Sequence, residues 1–94
     1  MTKTTKWDSA DYLSTPKAIA AYLEAAFEDG DPKVISHALG NVARAKGLPQ
    51  IAKDIGITKA GLYKALSKDG DPRLSTFLGA LRAMGFELKL KKAA

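Results

Sequence analysis

The chain has 94 residues, a formal net charge of +5 and no cysteine. That length holds one domain with a thin core, which oligomerisation would reinforce. The lack of cysteine excludes a disulfide framework and a thiolate zinc site, and no apolar run reaches the roughly 18 residues of a membrane span.

Residues 1–14 read as a polar N-terminal extension. They contain no apolar stretch followed by a small-residue cleavage site, so the expected location is cytoplasmic. Trp7, Tyr12 and Leu13 interrupt the polarity. A lone Trp in so small a chain folds down to close the core; the competing reading is an exposed anchor for a protein partner. Asp8 and Asp11 are solvated or cap a short turn.

A helical domain is expected over residues 15–85. Thr15-Pro16 opens the first helix, with Thr as cap and Pro where a missing N–H costs nothing. Ile19, Leu23 and Phe27 step by four, with Tyr22 and Ala26 alongside, and Gly30 ends the helix. Asp31-Pro32 repeats the opening. Val34, Ile35, Ala38, Leu39, Val42 and Ala43 form the second stripe, Arg44 and Lys46 complement the helix dipole in the last turn, and Gly47 stops it. His37 has no second His, no Cys and no carboxylate at ligand spacing, so neither a metal site nor a catalytic base is built on it.

Leu48 to Ser67 then reads as a helix-turn-helix. Ala52 lies four residues before Gly56, where only a small side chain lets two helices approach. Gly56 suits a left-handed stop, Ile57 plugs inward, and Thr58 caps the next helix. Leu62, Ala65 and Leu66 make a narrow apolar seam, which leaves Lys59, Ala60, Gly61, Tyr63, Lys64 and Ser67 outward. Basic, aromatic and small residues on one short helix suit a DNA groove. The charge distribution agrees: residues 1–37 carry four Lys/Arg against six Asp/Glu, a net of −2, and residues 38–94 carry eleven against four, a net of +7. The basic excess thus falls in the half that would neutralise phosphates.

Lys68-Asp69-Gly70-Asp71-Pro72 repeats the punctuation of Glu28-Asp29-Gly30-Asp31-Pro32 without being a sequence repeat. Gly70 reads as a turn residue rather than a point of phosphate approach. Leu74, Phe77, Leu78, Leu81 and Met84 predict a last amphipathic helix, opening at Pro72 or at a Ser75 cap and ending at Gly85. Residues 86–94 form a strand and basic tail, with Phe86, Leu88 and Leu90 alternating with charged residues. A lone strand needs a partner for its backbone groups. A second copy, the extended N-terminus or another protein could supply it. The second copy is favoured, because two-fold dimers read paired half-sites, and Phe86, Leu88 and Leu90 are then its interface.

These residues give the chain a family resemblance. It resembles the addiction-module antidote proteins, small prophage-type DNA-binding antitoxins related to the HigA-like helix-turn-helix group. The matching stretches are Asp11-Tyr12-Leu13, Ile19 to Ala26, Ala38-Leu39-Gly40, Ala43 to Gly47, Gly61 to Ser67, and Leu81 to Gly85. Together they run almost end to end. Gly-Leu-Tyr-Lys-Ala-Leu-Ser followed by Gly-Asp-Pro is far more specific than a generic helix-turn-helix. Gly-Asp-Pro stands where relatives often have Gly-Asn-Pro, and Met84 where Leu is usual.

The resemblance implies an all-α, five-helix, lambda-repressor-like helix-turn-helix domain with a short C-terminal β-strand. It also implies the antitoxin of a type II toxin–antitoxin pair. Such a protein neutralises a RelE/HigB-like toxin, usually an mRNA-cleaving ribonuclease, and binds double-stranded operator DNA to repress its own operon as a homodimer. The DNA-contacting set is then Gln50, Thr58, Lys59, Ala60, Tyr63, Lys64 and Ser67. Trp7, Glu24 and Glu28, on or before an acidic first helix, are expected to meet a basic toxin. The alternatives are a stand-alone prophage-type regulator without a toxin, and a protein-interaction module that no longer binds DNA. No cofactor, metal or enzymatic activity is expected, since one His, no Cys and no phosphate loop leave nothing to build a reaction on.

Overall fold

The computed structural model describes residues 14–93. Among them there are five helices and no strand: α1 (Pro16–Asp29), α2 (Pro32–Lys46), α3 (Leu48–Ile55), α4 (Lys59–Ala65) and α5 (Leu74–Ala83). None is long and apolar enough to cross a membrane. Trp7, Asp8, Asp11, Tyr12 and Leu13 lie outside the described residues.

The helix ends follow the local chemistry of the sequence. The Thr15 hydroxyl accepts from the Ala18 amide at 3.1 Å, and the Asp31 carboxylate accepts from the Lys33 amide at 2.9 Å. Each satisfies an amide that the first helical turn leaves without a partner. Pro16 and Pro32 follow these caps directly. Cationic Arg44 and Lys46 close α2, next to its unpaired carbonyls.

α1 packs along α2, and α3 is the hub that meets α2, α4 and α5. One core joins all five helices: Ile19 and Leu23 from α1, Leu39 and Val42 from α2, Ile51 and Ala52 from α3, Leu62 and Leu66 at α4, and Ala80, Leu81 and Met84 at α5. Leu39, Leu62, Leu66 and Val42 are the largest fully buried side chains. The apolar stripes read from the sequence therefore meet at the end of α4. Phe27 and Phe77 join α1 to α5 edge to face, with ring centroids 6.0 Å apart and an interplanar angle of 74°.

Three expectations need adjustment. The last helix opens at Leu74, with Arg73 in the cap position and no side-chain cap, so neither Pro72 nor Ser75 sets its start. Leu74 itself is 71% exposed and Val34 41%. Both sit in the first turn of their helices, beyond the edge of the core. Residues 86–93, expected as a strand, have no regular structure. A strand exists only as part of a ladder, and the described residues of this one chain offer the segment no partner strand.

Candidate nucleic-acid interface

The turn between α3 and α4 is built from three consecutive residues. Gly56 closes α3 in the left-handed region at φ 79° and ψ 30°, where a side chain would be strained. The Ile57 amide then donates to the Ala52 carbonyl at 3.0 Å, and the Ile57 side chain packs against the core. The Thr58 hydroxyl accepts from the Gly61 amide at 2.9 Å, which starts α4. α4 is thereby pinned at its N-terminus by a cap and along its length by fully buried Leu62 and Leu66.

The other faces of α4 are open. Lys59, Ala60, Gly61, Tyr63 and Lys64 are all exposed. From Leu48 to Lys68 the cations are Lys53, Lys59, Lys64 and Lys68, all exposed, and the one carboxylate is Asp54. Such a surface attracts a polyanion through charge alone, in a salt-dependent way.

Several of the expected contact residues already have partners. The Gln50 amide donates to the Asp54 carboxylate at 2.8 Å, one turn along α3. The Ser67 hydroxyl, half-buried, donates to the Lys64 carbonyl at 2.8 Å at the end of α4. Thr58 is occupied as a cap by its oxygen lone pair and keeps its O–H to donate. Lys59, Ala60, Tyr63 and Lys64 are the residues brought together on one accessible surface.

A cleft of about 410 Å³ lies beside them, lined by Gly61, Lys64, Ser67, Asp69, Gly70 and Asp71. Two carboxylates make it a poor seat for phosphate. Gly70 faces the carbonyls of Lys64 and Ala65 so closely that a side chain would collide with them. Its small size thus serves the packing of the turn onto α4.

Sequence reasoning missed a run of contacts behind α4. The Arg44 guanidinium carbon lies 5.4 Å from the centroid of the Tyr63 ring, within cation–π range. Its Nη2 donates to Asn41 Oδ1 at 2.8 Å, and Asn41 Nδ2 donates to the Tyr22 hydroxyl at 2.8 Å. In the sequence Arg44 reads as a dipole complement and Tyr22 as part of a stripe. The three-residue spacing of Asn41 and Arg44 is the one signal that placed them on a common face.

A second surface unites residues that the sequence separates. Glu24 and Glu28 of α1, expected to meet a toxin, line the same groove as Phe86, Leu88 and Leu90, expected to form a dimer. The groove has a volume of about 800 Å³ and also holds Leu23, Phe27 and Leu81. Leu88 is 49% exposed and Leu90 fully so. His37 is exposed on α2, and no group of three or more His, Cys, Asp or Glu among the described residues could hold a metal ion.

The chain is similar to an uncharacterized protein of Haemophilus influenzae (strain ATCC 51907 / DSM 11121 / KW20 / Rd). The two are 35% identical over 87 residues, which is 93% of this chain and 90% of the relative. No solved structure matches the chain. Residues 3–92 match the family described as "Probable addiction module antidote protein". That match takes in all five helices, and the chain belongs to this family of addiction module antidotes.

Proposed function

We propose that the protein is the antitoxin of a type II toxin–antitoxin module. In this reading it binds and neutralises a RelE/HigB-like toxin, an mRNA-cleaving ribonuclease. It also binds its own operator DNA as a homodimer and represses the operon. The observation that carries the antitoxin role is the family match over residues 3–92, nearly the whole chain. The DNA role is supported by the two short helices α3 and α4 with their tight turn, which we read as a lambda-repressor-like helix-turn-helix, and by the exposed Lys59, Tyr63 and Lys64. α4 enters the major groove, Lys59 and Lys64 meet phosphates or guanine edges, and Ala60 and Tyr63 make apolar contacts. The acidic rim of α1 at Glu24 and Glu28 is the face assigned to a basic toxin. The chain catalyses nothing; it acts by occupancy, in the cytoplasm.

The test is a growth assay with the small open reading frame beside this gene, induced with and without this chain. Arrest by the neighbour, rescue by co-expression and a co-purifying complex are the expected results. Arrest without rescue, or no arrest with intact operator binding, would replace the antitoxin reading with that of a lone regulator.

A further inference from the structure

The run Tyr22–Asn41–Arg44–Tyr63 crosses three helices and ends on the exposed surface of α4. Each link restricts the next. The Asn41 amide is oriented at both ends, its nitrogen donating to Tyr22 of α1 and its oxygen accepting from Arg44, both at 2.8 Å. An amide fixed in this way presents one acceptor in one place, and the Arg44 guanidinium is drawn to it. The guanidinium then lies over the ring of Tyr63, 5.4 Å from guanidinium carbon to centroid.

Tyr63 is 53% exposed. An exposed tyrosine on a seven-residue helix is otherwise free to exchange rotamers, and ordering it on binding would cost affinity. Arg44 removes that freedom beforehand. Arginine is suited to this role because a planar guanidinium can stack on a ring while its edge keeps a hydrogen bond, which an ammonium cannot do.

We propose that Arg44 is a positioning residue for the DNA interface: held by Asn41 and Tyr22, it fixes the Tyr63 ring so that discrimination among DNA sequences depends on residues outside α4. The inference rests on the reading of α4 as the DNA-contacting helix. It differs from a plain phosphate contact by Arg44 in one measurable respect. A phosphate contact depends on charge, which Lys preserves, and acts on every sequence alike. A positioning role depends on planarity and on Tyr63, and acts on the cognate sequence.

The experiment titrates the full-length protein against two duplexes, the segment upstream of its own operon and a scrambled version of equal length. The variants are Arg44→Lys, Asn41→Ala, Tyr63→Ala and the double variant Arg44→Lys/Tyr63→Ala. Arg44→Lys is expected to weaken upstream-duplex binding by about three- to tenfold, the range of a cation–π contact. Scrambled-duplex binding and the salt slope should stay as in wild type. In the Tyr63→Ala background the same substitution should have no further effect. A ring-current shift of the Arg44 Nε–H resonance, read by NMR on free protein, should disappear in Tyr63→Ala and in Asn41→Ala. Because Tyr63→Ala alters an exposed side chain, that readout does not depend on a destabilised core. Additive losses, equal losses on both duplexes, or an unchanged Arg44→Lys titration would overturn the positioning role alone. Failure of wild type to prefer either duplex, with Lys64→Ala equally indifferent, would overturn the DNA reading and this inference with it.

Discussion

Gly40 of α2 lies directly against the carbonyl of Leu66 at the end of α4: a Cβ at position 40 would run into the Leu66 oxygen. The obstacle is backbone, which cannot swing aside as a flexible side chain would. α2 therefore comes close to the C-terminal end of α4 at this one point, and Asn41 and Arg44 follow Gly40 along α2. Gly40→Ala is expected to destabilise the fold by about 1–3 kcal/mol, the usual cost of overpacking. The usual gain of Ala over Gly inside a helix, about 0.5–1 kcal/mol, opposes it but is smaller. A thermal melt decides the sign, and an increase in Tm would show that α4 can back away.

Thr58 caps α4 by one side-chain hydrogen bond, 2.9 Å from the Gly61 amide, beside the backbone bond from the Leu62 amide to its carbonyl. Thr58→Ala removes the acceptor and should cost about 1 kcal/mol, as for other N-caps. Thr58→Ser keeps the oxygen and should stay within a few tenths of wild type. Urea unfolding of the three proteins checks this, with an Ala variant as stable as Ser counting against the cap.

Much of this architecture was legible because it is local. Pro16, Pro32, Gly30, Gly47, Gly56 and Thr58 act within a turn of their own position, so caps and stops could be read one at a time. The seam of Leu62 and Leu66 was legible for the same reason. What escaped was long-range. Nothing near Gly40 in the sequence announces Leu66, and Tyr22 and Asn41 are 19 positions apart. The short-range hydrogen bonds of Gln50 and Ser67 were also not read from the sequence, though both lie within a turn of their partners. Glu24 and Leu88 were assigned to different surfaces, since only the fold brings α1 and the C-terminal segment to one groove.

Lys59 and Lys64 are exposed and have no structural work in the core. Replacing either with Ala should leave the melting temperature within a degree or two while weakening operator binding by about 1 kcal/mol. The salt dependence separates their roles. A lysine on phosphate lowers the slope of log K against log salt by about one when removed, on any sequence. A lysine on a guanine edge lowers discrimination between sequences instead. If neither substitution shifts an operator titration, α4 is not the helix that touches DNA.

The C-terminal segment carries a prediction of its own. Phe86 packs against the core, whereas Leu88 and Leu90 turn out into the groove beside α1 or into solvent. A period-two segment ending in Lys89, Lys91 and Lys92 gains ladder hydrogen bonds and covers its leucines if a second copy pairs with it. Pairing fixes the register, so apolar rows from both copies would cover both grooves. Leu88→Pro removes one ladder N–H and distorts the strand, and should convert a dimer to a monomer in sedimentation while leaving the helical circular dichroism intact. Leu88→Val keeps the amide and the strand preference, and should remain dimeric. The pair separates backbone pairing from simple loss of an apolar side chain. An unchanged dimer in Leu88→Pro would move the two-fold contact elsewhere and leave the groove between α1 and the tail to a different partner.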